Sequence, residues 1–65
     1  MGKTLAKIFQ IVEERGGLPG RLKLVQATGI TQQQAGEIKD QAALVRRAKK
    51  AAAEILGIAA EDILG

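Results

Sequence analysis

Residues 20–38, GRLKLVQATGITQQQAGEI, hold the pattern on which the fold turns. Gly29 enters the left-handed conformation without steric penalty, so a helix running up to Thr28 stops there, and Ile30 folds back on it in a Schellman-like ending. Thr31 and Gln34 then form a Thr-x-x-Gln capping box, in which hydroxyl and amide satisfy backbone donors that a new helix leaves unpaired. A helix therefore restarts at Gln32. Ala35 is small where two helices must approach closely, and Ile38 follows as a core anchor. Two short helices packed at a steep angle across a three- or four-residue turn containing glycine form a helix-turn-helix pattern.

Working outward, Pro19 suits the first position of the upstream helix, 19–28, where its missing N–H costs nothing. Leu18, Leu22 and Val25 share a face of that segment. Gly16 and Gly17 end an earlier helix near Arg15; that helix, 3–15, is marked by Leu5, Ile8, Phe9 and Val12 at i, i+3, i+4, i+7, with Ile11 widening the stripe. Downstream, helix 32–39 is short because Gly36 costs about 1 kcal/mol relative to alanine inside a helix. Asp40 reads as the next N-cap. Helix 41–56 follows, with Val45, Ala48, Ala52 and Ile55 in one apolar row. Gly57 and Ile58 repeat the Gly29 and Ile30 ending, and Glu61 and Asp62 suit the positive end of a final helix over 60–64. No strand-like alternation appears. The expected fold is all-α, one compact domain over 1–65, a bundle of four to five short helices with a helix-turn-helix.

Composition agrees with one small domain. A chain of 65 residues hides only about 60% of its unfolded surface, so every apolar stripe must face a shared core. Phe9 is the only aromatic residue, which leaves that core to Leu, Ile, Val and Ala. With no Cys and no His, disulfides and the usual zinc ligands are excluded, and no metal or other cofactor is expected. The absence of an apolar run of roughly 20 residues argues against a membrane span and makes a soluble cytoplasmic protein the expectation. The formal charge is +3, a mild preference for anionic partners. Its distribution is uneven: Arg46, Arg47, Lys49 and Lys50 crowd together, while residues 51–65 carry Glu54, Glu61 and Asp62 and no cation.

Three stretches resemble a known family. EERGGLPGRLKLVQATGIT (13–31) is similar to the end of the first helix and the whole second helix of the lambda-type phage repressors, the Cro proteins and related antitoxins. TGITQQQAGEI (28–38) resembles their turn and recognition helix. AAAEILGIAAEDILG (51–65) resembles their fourth helix, its Leu-Gly-aliphatic stop and a short acidic fifth helix. The chain departs from the family's pattern at Gly36 and Glu37 on the third helix, in a shorter link to the fourth, and at Lys49, where an aliphatic side chain is usual.

The resemblance implies a repressor-like regulator that binds duplex DNA as a symmetric dimer, with helix 32–39 in the major groove. It carries base reading onto Gln32, Gln33, Gln34 and Glu37. One glutamine amide offers a donor and an acceptor together and pairs with adenine N6 and N7, whereas a carboxylate suits cytosine N4. Phosphate contacts, the main source of affinity, fall to Arg21, Lys23, Thr31, Lys39 and Arg46. Ile58, Ile63 and Leu64 form a C-terminal apolar cluster suited to a dimer interface, or alternatively to closing the core over the first helix.

Other classes fit less well. An enzyme is not expected, because Ser, His, Cys and Tyr are all missing and the seven carboxylates form no obvious inward-facing pair. Gly2, Lys3 and Thr4 echo the end of a phosphate-binding loop without its upstream glycine and strand. The main competitor is a protein-binding helical module, such as an antitoxin or dimerisation domain without DNA readout. A membrane-surface role for helix 42–56 lacks the Trp or Phe that anchor such helices.

Overall fold

The computed structural model describes residues 4–39 and 41–63. Among them the chain is entirely helical, with α1 (Thr4–Thr28), α2 (Gln32–Glu37), α3 (Ala42–Leu56) and a single 3-10 turn, Ala60–Asp62. Asp40 and Leu64, expected as an N-cap and as a dimer contact, lie outside the described residues; the N-cap position of α3 falls on Gln41, which makes no side-chain cap hydrogen bond.

The expected count of four to five helices is therefore corrected to three α-helices and one 3-10 turn. Helices 3–15 and 19–28 run together within α1 as two helical limbs that meet across a kink at Gly17, at φ 69° and ψ −167°, within the expected break at Gly16 and Gly17. The break is a sharp one. A straight helix of 25 residues is about 37 Å long, yet the molecule's longest dimension is 27 Å. Gly17 thus folds α1 into two limbs, residues 4–16 and 18–28, in a backbone region open essentially to glycine alone. The final helix is shortened to one 3-10 turn, and α2 ends at Glu37. There Ile38 turns extended (φ −84°, ψ 158°) while its N–H still bonds the Gln34 carbonyl, and its side chain reaches the core.

The first limb behaves as its spacing predicts: Leu5, Ile8, Phe9 and Val12 are all fully buried, and burying each such side chain is worth about 1.5–3 kcal/mol. Leu24, Ala35, Ala48, Ala52, Ala53 and Ile63 complete the core. α1 is its hub, since α2 and α3 both pack on α1, and the 3-10 turn packs on α3.

The second limb corrects the expected inward face. Leu18 and Leu22 are 55% and 56% exposed, and the buried row is Gly20, Leu24 and Thr28. Of the expected stripe Leu18, Leu22 and Val25, only Val25 packs against the core, because the limb's rotation about its axis is set by packing beyond the kink and not by its own spacing. Gly20 makes that rotation feasible: a Cβ there would stand 3.4 Å from both Ile55 Cγ2 and Val12 Cγ1. The limb therefore seats its glycine, not its leucines, where the two limbs and α3 converge.

The two Gly-Ile endings differ in detail. After α3, the Ile58 N–H returns 3.1 Å to the Ala53 carbonyl, the six-to-one bond of a Schellman motif. After α1, Gly29 (φ 77°) bonds the Val25 carbonyl at 2.8 Å, but the Ile30 N–H goes to Thr28 Oγ1 at 3.4 Å. The ending expected there as Schellman-like is a simple left-handed cap completed by a threonine hydroxyl. That hydroxyl is buried, and it donates to the Leu24 carbonyl at 2.8 Å, so its own polarity is satisfied.

Candidate functional site

Three residues, Gly29 to Thr31, separate α1 from α2. The capping box is formed in both directions: the Gln34 N–H donates to Thr31 Oγ1 at 3.1 Å, and the Thr31 N–H donates to Gln34 Oε1 at 2.9 Å. This fixes the start of α2 and engages the Gln34 side chain. Ala35 is buried as expected, and on either side of it Gln33, Gln34, Gly36 and Glu37 are exposed while Gln32 is partly buried.

The three glutamines have separate fates. Gln34 is held by the cap. Gln32 is partly buried, and its Oε1 accepts from Arg21 Nη1 at 2.8 Å while its Nε2 donates to Glu13 Oε1 at 3.4 Å. Arg21 Nη1 also lies 3.0 Å from Glu13 Oε2, the one ion pair among the described residues. Gln33 is exposed and makes no side-chain hydrogen bond among the described residues.

An open depression beside these residues is lined by Arg21, Leu22, Val25, Thr31, Gln32 and Gln33. The structure thus brings together four of the residues singled out from the sequence, Arg21, Thr31, Gln32 and Gln33. Lys23, Glu37, Lys39 and Arg46 are exposed and form no part of its lining. Ile63, expected at a dimer surface, is only 3% exposed and its apolar surface is used inside the monomer; Ile58 is partly buried against the same core.

Two features of the site were missed in the sequence. Glu13 precedes Arg21 by eight residues, a spacing that does not pair side chains on a straight helix, and only the turn at Gly17 brings them together. Leu22 shares the expected apolar face yet is 56% exposed in the depression, beside Val25, which packs against the core as that face implied. Chemically the site offers an exposed amide, a second amide clamped between a guanidinium and a carboxylate, and an apolar floor. No helix among the described residues is long and apolar enough to cross a membrane. Comparison with known proteins returns no matching family, curated sequence or solved structure.

Proposed function

We propose that the chain is a sequence-specific duplex DNA-binding domain of the repressor type that reads base edges in the major groove from the first turn of α2. The observation that carries this reading is the state of Gln33: exposed, free of side-chain hydrogen bonds among the described residues, and set in the first turn of a capped helix whose neighbouring amides are both held. A free amide on a rigid base suits bidentate pairing with adenine. With six residues, α2 is only about 9 Å long, short enough for a major groove about 12 Å wide. Base reading centres on its first turn, and Glu37, exposed at the far end, stays among the expected base readers as an acceptor suited to cytosine N4. The exposed cations Lys23, Lys39 and Arg46 would supply phosphate contacts. As a symmetric dimer the protein would read two half-sites about 34–36 Å apart.

Titration of the chain on a selected duplex and on a random pool, each at two salt concentrations, tests this reading. Affinity should fall steeply with salt, and Gln33→Ala should lower discrimination at one base pair by about 5- to 150-fold, the loss of one bidentate contact worth about 1–3 kcal/mol. Equal affinity for every duplex would refute base reading.

A second reading, a protein-binding helical module, is favoured by Leu18 and Leu22. They sit one turn apart and more than half exposed, with Leu22 in the same depression as Gln33. Under this reading a partner is held at high salt, where DNA contacts are screened, and Leu22→Lys abolishes the association.

A further inference from the structure

We propose that Glu13 and Arg21 form an electrically neutral bracket that orients Gln32 for base reading, which makes Arg21 a positioning residue and not the phosphate contact its charge suggests. The proposal rests on the DNA-binding reading of α2.

Three side chains from three segments meet here. Glu13 comes from the first limb of α1, Arg21 from the second and Gln32 from α2. The Arg21 and Glu13 bonds to Gln32 are the only side-chain hydrogen bonds among the described residues that join α2 to α1. A free glutamine amide turns over readily and presents donor and acceptor in either order. In the bracket the order is fixed, because the guanidinium of Arg21 can only donate and the ionised carboxylate of Glu13 can only accept. The Gln32 carbonyl therefore faces Arg21 and its NH2 faces Glu13. One N–H and one carbonyl lone pair remain, in a fixed relation to each other and to Gln33.

Charge supports the same assignment. With Glu13 Oε2 3.0 Å from Arg21 Nη1, a phosphate approaching the guanidinium meets a carboxylate of opposite effect almost as close. The pair presents no net charge, so it adds little to the counterion release that drives phosphate binding. Stability is not its main product either. The two side chains are 29% and 38% exposed, and ion pairs in such surroundings contribute only about 0.2–1 kcal/mol.

The test compares the wild-type chain with the Glu13→Gln/Arg21→Gln double variant, which removes one charge of each sign and keeps the formal net charge of +3. A duplex selected by the wild-type protein and its single-base-pair variants are titrated over a range of salt. The bracket requires an unchanged slope of log K against log salt, with discrimination at one base pair reduced about 5- to 150-fold. A slope shallower by about 0.9, the signature of one lost phosphate contact, with base preference intact, overturns it. A second measurement needs neither DNA nor a variant. By NMR, the Gln32 side-chain amide protons of the free protein should move as Glu13 is titrated, and an amide insensitive to that protonation also overturns the bracket. A wild-type chain that selects no duplex refutes the DNA reading and the bracket's role together, and the amide titration then shows separately whether the contact exists.

Discussion

Replacing Gly17 by alanine tests the feature that shapes the whole molecule. At φ 69° and ψ −167° the residue occupies a region that costs an L-residue about 1–3 kcal/mol. Crowding adds nothing to this figure, because the nearest atom to an added Cβ is Pro19 Cδ at 3.6 Å, an ordinary van der Waals distance. The cost is therefore one of backbone conformation alone. For a domain of this size each kcal/mol is worth about 4–8 °C of melting temperature, so Gly17→Ala should lower the midpoint by about 5–20 °C. Gly36→Ala supplies the control: the same atoms are added within α2, at a negative φ and with nothing within 4 Å. Helix propensity then predicts a gain of about 1 kcal/mol. Thermal melts of the three proteins followed by circular dichroism give the comparison. Equal midpoints for the wild type and Gly17→Ala, or shifts of the same sign for both variants, would refute a fold bent through a left-handed glycine.

Three further outcomes follow from the packing. Phe9→Ala empties the largest fully buried side chain, a loss of about 3–5 kcal/mol from a domain whose total stability is on the order of 3–10 kcal/mol; chemical denaturation should show the transition moved to low denaturant or gone. Thr31→Ala removes half of the capping box and should cost about 1 kcal/mol. Because α2 leans on α1 alone, hydrogen exchange should accelerate at the Gln34 and Ala35 amides before it does in α3. Leu18→Gln/Leu22→Gln should leave stability within about 0.5 kcal/mol of wild type per site, and a fall of 2 kcal/mol or more in denaturant titrations would place these leucines in the core after all.

The site was legible wherever its cause was local. Thr31 and Gln34 announce their cap because hydroxyl, amide and backbone lie within four residues of one another. Gly29 and Gly57 mark their helix ends because the requirement for positive φ is carried by a single residue. The first limb's stripe was readable because one helix face, over three turns, meets one core. Glu13 was illegible as a site residue because its partnership with Arg21 runs across a bend whose angle no residue spacing encodes. The fates of Gln32 and Gln33 are a sharper instance. They are identical neighbours in the sequence, and they differ only because the helix points one at Arg21 and the other at solvent.

By itself the sequence determined the all-helical class, the glycines at which helices bend or stop, the capped start of α2 and the burial of Leu5, Ile8, Phe9 and Val12. All of these are set by interactions within a few turns of one chain segment. Only the tertiary structure decided that Gly20 and Leu24, not Leu18 and Leu22, face inward, that Ile63 is used inside the monomer, and that Glu13 and Arg21 clamp Gln32. Those outcomes depend on the rotation and tilt of packed segments, which are fixed when side chains far apart in the chain compete for the same core.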